Sequence, residues 1–199
     1  MFKKKGKEEP SCTLEELHTI LTFDTGGLFM LPSNDWDEVY PGLLISDGTT
    51  AKSKSELKRL GITHILNCAK GKSPYHVNTN HVMYRDLGVK FKAIEATDQM
   101  NFDLSPYFEE TANFIEEAIT SGGRILVHCR EGVSRSAAIT LAYLMLKKHM
   151  TVQQAVRTVR KKREICPNDG FLLQLCYLND KLLKANHFSD TEQDSRLLC

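Results

Sequence analysis

The ten residues VHCREGVSRS, 127–136, set Cys129 after an apolar, β-branched run and set Arg135 six residues further on, with Gly132 among the five between them. A curve of that length that ends on a helix start turns successive backbone N–H groups inward. The helix adds partial positive charge, and together they cradle an anion. The cradle comprises Arg130, Glu131, Gly132, Val133, Ser134 and Arg135. Arg135 contributes a planar, permanently charged guanidinium that fits two phosphate oxygens at once. A tetrahedral oxyanion is the natural occupant. The same field favours Cys129 as thiolate, the attacking form of sulfur. Phosphorus held in the cradle stands in line with that sulfur. The chemistry implied is displacement at a phosphate ester, giving a cysteinyl-phosphate that water then hydrolyses. The departing alkoxide or phenolate needs a proton, so a general acid must approach from another loop. The segment TDQMNFDLS offers Asp98 and Asp103, with Glu95 just upstream in a stretch that reads as strand.

Such a loop needs a strand to deliver the cysteine and a buried helix to carry the arginine. RILVH reads as that strand, with Ile125 and Val127 on one face and Leu126 on the other, and SAAITLAYLML is apolar nearly all round, as a core helix is. Around them, further strands are expected in EVYPGLLIS and ITHILNCA, with shorter ones near HVMYRDL and VKFKAIE. Helices are expected from Thr13 with its Glu16 box partner, over Ala51 to Leu60 up to Gly61, and after the Ser105-Pro106 cap. Two more follow, one from a Thr151/Gln154 box and one at FLLQLCYLNDKLL. The intermixing predicts an α/β fold: one domain with a central, mostly parallel sheet flanked by helices on both faces. The phosphate loop then lies at the carboxyl end of a strand, where open α/β sheets bind ligands. An N-terminal arm and short helix (1–26), a catalytic body (27–186) and a tail (187–199) are the expected divisions.

A chain of 199 residues with a formal charge of +1 predicts one domain and gives no reason to expect nucleic acid or acidic membrane as partner. The local exceptions are Lys3 to Lys7, read as a solvated tail, and Lys161 to Arg163. No apolar run approaches the ~20 residues of a spanning helix. The charged start, MFKKKGKEEP, lacks the apolar core of a secretory signal, so the cytoplasm or nucleus is expected. The six cysteines, Cys12, Cys68, Cys129, Cys166, Cys176 and Cys199, are scattered without zinc-type spacing and read as reduced thiols. No cofactor and no metal are expected, and a monomer is favoured.

VHCREGVSRS, together with LGITHILNCAKGK, HVNTN, FDLSPYF, AYLM and REICPNDGFLLQLCYLND, resembles the small VHR-type members of the cysteine-dependent dual-specificity phosphatases from about Leu14 to Leu183. The resemblance implies a protein tyrosine phosphatase-like fold and hydrolysis of phosphotyrosine and phosphoserine or phosphothreonine in proteins, with mitogen-activated kinases among the targets. It implies Cys129 as nucleophile, Arg135 as phosphate ligand, Ser136 as the hydroxyl that helps sulfur leave, and His128 as the residue that orients the loop and favours thiolate. It selects Asp98 as the acid, four residues before the phenylalanine of F-x-L-S. It gives Arg163 a second phosphate or an acidic neighbour to bind, against the plainer reading of a helix-end cation. The first helix resembles an element that shapes the substrate cleft, with packing for stability as the alternative. Glu131 points to phosphoprotein rather than inositol lipid. Val133 departs from loops that carry tyrosine there. Two readings of other classes stand beside this one, a silent phosphopeptide-binding scaffold and an RNA 5′-triphosphatase. The scaffold does not need Cys129, Asp98 and Ser136; the triphosphatase calls for a basic groove.

Overall fold

RILVH becomes the middle of a sheet. The computed structural model describes residues 11–188; the Lys3–Lys7 cluster, Cys199 and most of the expected arm and tail lie outside the described residues. Among these, five strands form the sheet: β1 (Trp36–Tyr40), β2 (Leu43–Ser46), β3 (His64–Asn67), β4 (Lys90–Ala93) and β5 (Ile125–His128), in the order β1-β2-β5-β3-β4. β2, β5, β3 and β4 run parallel, and β1 is an antiparallel edge. β5 pairs on both sides, with Ser46 and Asn67 in register with His128, so the next residue, Cys129, leaves a fully paired strand end. A central strand of this kind is buried on both faces and needs apolar residues on both. Ile125 and Val127 join the larger core cluster, while Leu126 joins Leu44 and Ile65 in the smaller one on the opposite face.

Helices cover both faces. On the smaller side lie α2 (Gly48–Lys52) and α3 (Lys54–Arg59), which contribute Ala51 and Leu57. On the larger side lie α4 (Phe108–Thr120), α5 (Arg135–Lys147), α6 (Val152–Arg160) and α7 (Asp169–Lys184). α5 buries every residue from Arg135 to Leu146, which is why its sequence shows no polar face. α6 opens on the expected capping box, Thr151 accepting from the Gln154 N–H and Gln154 accepting from the Thr151 N–H at 2.8 Å. The first helix, α1 (Leu14–Thr22), presses Leu17, Ile20 and Leu21 against α6 and α7. Thr13 caps α1, but Glu16 does not close a box; its carboxylate accepts from Gln153 of α6.

Four elements differ from expectation. EVYPGLLIS is two strands, because Pro41 and Gly42, the latter at φ +75°, turn the chain into a hairpin. The helix expected over Ala51 to Leu60 breaks at Ser53, whose side chain caps α3. HVMYRDL is a 3₁₀ helix over His81–Leu87 and not a strand. Asn80 accepts from the N–H groups of Val82 and Met83, and Tyr84 turns inward to donate to Ala51 O at 2.9 Å. Ser105 is no cap: it begins a 3₁₀ turn, Ser105–Tyr107, and its N–H and hydroxyl both donate to Asp103. That contact puts Asp103 at a helix start, as the sequence suggests.

Candidate active site

The loop from His128 to Ser134 is defined by where its carbonyls go. Cys68 N–H donates to His128 O at 2.7 Å, Gly48 N–H to Arg130 O at 2.9 Å and Cys166 N–H to Val133 O at 2.8 Å. Arg163 Nε donates to Gly132 O at 2.9 Å and its Nη2 to Glu131 O at 3.4 Å. His128 Nδ1 lies 3.2 Å from Cys129 O, and Ala138 N–H takes Ser134 O into the first turn of α5. Every carbonyl of the curve therefore points outward to a donor. With the carbonyls turned out, the N–H groups line the inside, as an anion nest requires. Gly132, at φ +71°, makes the curve possible. A Cβ there would stand 2.6 Å from Ser46 O and 2.7 Å from Arg163 Nη2.

Cys129 sits at the base of this curve, 2 % exposed, with its sulfur accepting from Gly132 N–H and from Ser136 Oγ, each at 3.2 Å. Both donors are aimed at the atom that would attack phosphorus. The strand end and α5 thus bring Cys129, Arg135 and Ser136 together. His128 acts differently from the expectation. It does not touch the sulfur, and its ring is tied to the backbone of Cys129. Burial pushes its acidity to about 4, so the ring is neutral and orients the loop without adding charge. With Nδ1 donating to the carbonyl, Nε2 is left buried without a hydrogen-bond partner.

Arg135 is 3 % exposed, and its Nη1 donates to Tyr75 O at 3.1 Å and Ala96 O at 3.2 Å. Those bonds fix the plane of the guanidinium. Its Nε lies 3.3 Å from Asp98 Oδ2. Asp98 Oδ1 accepts from Ser134 Oγ at 2.7 Å and from Asn168 Nδ2 at 2.9 Å. The hydroxyl of Ser134, expected in the phosphate cradle, is thus turned to Asp98. Cys129, Arg135 and Asp98 open into one cleft of about 570 Å³, with Arg130, Glu131, Val133, Tyr75 and Gln99 also on its walls. The rivals to Asp98 lie elsewhere: Glu95 pairs with Lys70 on the surface, and Asp103 holds the Ser105 turn. Arg130 and Glu131 pair with each other at 3.0 Å at the mouth.

Arg163 is placed behind the loop, and this corrects its assignment to a second phosphate. It is 1 % exposed, and besides its two loop carbonyls it donates to Asn34 O at 3.0 Å and Asp37 Oδ2 at 2.7 Å. Neither is it a plain helix-end cation, since its whole fork is spent on the loop, on Asp37 of β1 and on Asn34 just before that strand. Removing it would leave Asp37 and two loop carbonyls without their donor. Arg163→Met is therefore expected to cost about 3–5 kcal/mol, read as a lower melting temperature together with loss of phosphate binding. An unchanged melt would show that the contact does not support the loop.

Sequence reasoning missed Asn168, Tyr75 and Ala96. Asn168 had a visible signal as a helix cap, in the turn NDG before an apolar run. Nothing in the sequence showed that its other end meets Asp98. Tyr75 and Ala96 act through backbone carbonyls, which leave no mark on residue type.

A buried cysteine under an N–H-lined curve, an arginine on the next helix and a carboxylate across the cleft define the class of cysteine-dependent phosphatases. Within that class the chain belongs to the dual specificity phosphatase family, whose catalytic domain matches residues 43–181, and to its atypical members. It is 47% identical to human dual specificity protein phosphatase 13B over 150 residues, covering 75% of each chain. Human dual specificity protein phosphatase 26 is 45% identical over 150 residues, 75% of this chain and 69% of that one. The crystal structure of human DUSP28 superposes with a TM-score of 0.66 at 28% identity, covering 77% of this chain and 99% of that one. The expected fold, a protein tyrosine phosphatase-like sheet between two helical layers, is therefore the observed one, and the chain is a protein phosphatase of dual specificity.

Proposed function

We propose that Cys129 attacks the phosphorus of a phosphorylated tyrosine, threonine or serine side chain while the loop N–H groups and Arg135 hold the three non-bridging oxygens. Asp98 protonates the departing oxygen, and the resulting cysteinyl-phosphate is hydrolysed with Asp98 now taking a proton from water. Ser136 donates to the sulfur as it is displaced. The observation that carries this reading is the sulfur itself, at the base of a cleft that Arg135 and Asp98 share, with two donors at 3.2 Å.

The substrate is a phosphoprotein. The Arg130–Glu131 ion pair neutralises the mouth of the cleft, where a multiply phosphorylated inositol lipid or an RNA triphosphate would call for surplus positive charge. Mitogen-activated kinases are the targets that the family likeness favours. Cytoplasm or nucleus is the compartment that suits the chemistry, since a reducing milieu keeps Cys129 available. A monomer suffices for this chemistry, since a single chain supplies Cys129, Arg135 and Asp98 to the cleft. Among the described residues no helix is long and apolar enough to cross a membrane.

The direct test is a panel of singly and doubly phosphorylated peptides and an aryl phosphate, assayed with EDTA present and with RNA as competitor. Turnover of phosphotyrosine and phosphothreonine peptides, unaffected by either addition, is expected. Loss of turnover in EDTA, or binding of phosphopeptide without turnover, would contradict it. Ser136→Ala separates the two chemical steps. It is expected to leave formation of the intermediate nearly intact and to slow its hydrolysis by about tenfold, seen as a burst of phenol release before a slower steady state. A slower burst phase, with no accumulation, would move Ser136 to the first step.

A further inference from the structure

The acid-bearing loop is laid along the start of α7. Asn168 contacts Asp98, Gly170 lies so close to Met100 that a Cβ on it would stand 1.9 Å from Met100 O, and Gln174 reaches the far end. Gln174 Nε2 donates to Phe102 O at 2.9 Å, and its Oε1 accepts from the N–H groups of Leu104 and Ser105 at 2.7 and 3.1 Å. Three positions on the first two turns of one helix thus hold residues 98 to 105 at both ends and in the middle.

We propose that Asn168 is the positioning residue that seats the general acid, an inference that rests on Asp98 filling that role. Asn168 is the N-cap of α7, and its Oδ1 accepts from Phe171 N–H at 3.1 Å while its Nδ2 donates to Asp98 Oδ1 at 2.9 Å. The two partners fix the orientation of the amide, since only one arrangement gives the helix an acceptor and the carboxylate a donor. The backbone N–H of Asn168 also meets Ser134 Oγ at 3.4 Å, and that hydroxyl donates to the same Asp98 oxygen at 2.7 Å. Oδ1 is thereby anchored twice and Oδ2 is left toward Arg135, the side on which a phosphate ester would sit. Aspartate, serine and asparagine all cap helices well, but ionised aspartate offers no donor and serine is too short to reach both partners. Asparagine does both jobs at once, coupling the register of α7 to the position of the acid.

The coupling can be tested without losing the cap. Asn168→Ser and Asn168→Asp each keep an acceptor for Phe171 N–H and remove the amide donor to Asp98. For both, kcat on a phosphothreonine peptide, whose alkoxide depends most on the acid, is expected to fall about tenfold with KM changed by less than about twofold. On an aryl phosphate with a good leaving group the loss is expected to be smaller by about fivefold or more. In an Asp98→Asn background, Asn168→Ser is expected to add no further loss on phosphothreonine, since the two act through one group. Equal losses on both substrates, or an additive double variant, would overturn the proposal and make Asn168 a cap alone. If Asp98→Asn itself leaves phosphothreonine turnover at the wild-type rate, the acid assignment fails and this proposal with it. If Asp98→Asn is impaired and the Asn168 variants are not, only the positioning role fails.

Discussion

Cys129→Ser is expected to lower turnover of every phosphorylated substrate by roughly 10⁴-fold or more while leaving oxyanion binding intact. The reason lies in the separation of two jobs within one loop. Binding is done by backbone N–H groups whose direction is set by the outward carbonyls and their donors, Gly48, Cys68, Arg163 and Cys166, and by a guanidinium fixed on Tyr75 O and Ala96 O. None of those contacts passes through the sulfur. Attack is done by the sulfur alone, and a serine hydroxyl beside Gly132 N–H and Ser136 has no neighbouring base to remove its proton. His128 is not placed to take that proton, because its ring contacts the carbonyl of Cys129 and not the sulfur. The check is twofold: kcat with an aryl phosphate, and the affinity of vanadate-free inorganic phosphate or a phosphopeptide by calorimetry. Turnover near the wild-type rate would mean that the cysteine is not the nucleophile. Lost binding with lost turnover would mean that the sulfur supports the cradle itself.

Asp98→Ala is the second large effect. A phosphothreonine peptide is expected to lose about 10²-fold or more in kcat with little change in KM, because an alkoxide leaves poorly unless it is protonated as it departs. An aryl phosphate with an acidic phenol is expected to lose much less. The dependence on the leaving group distinguishes this assignment from a general disturbance of the cleft, which would slow both alike. The geometry supplies a reason for the choice among the acidic residues: Asp98 reaches across to Arg135 Nε, whereas Glu95 is held by Lys70 and Asp103 by Ser105. If both substrates fall by the same factor, Asp98 acts through its ion pair with Arg135 and not as an acid.

Much of the site was legible because local rules govern it. A strand end, a glycine and a helix start within ten residues predict an anion cradle whatever surrounds them, and Cys129 and Arg135 stand at the two ends of that curve. The alternation of Ile125, Leu126 and Val127 correctly assigned the two core faces. What failed was set by contacts distant in sequence. HVMYRDL reads as a short strand, but Asn80 caps it as a 3₁₀ helix and the Tyr84 hydroxyl is needed at Ala51 O. Arg163 looks like a surface cation among lysines. Only the fold shows that β1 brings Asp37 and the phosphate loop brings two carbonyls to its guanidinium. Asn168 and Ser134 are small polar residues of ordinary turn and cap type, and their convergence on Asp98 depends on how α7 packs. In each case the residue type was readable, and its partner was not.

The covalent step is the centre of the mechanism, so the most direct measurement is to quench the enzyme in acid during turnover of a phosphorylated peptide and map the modified residue by mass spectrometry. The mechanism predicts a single phosphoryl group on the peptide that contains Cys129, more of it in Ser136→Ala and none in Cys129→Ser. Steady turnover with no phosphoenzyme at any quench time in either the wild type or Ser136→Ala, or a phosphoryl group on another side chain, would contradict it.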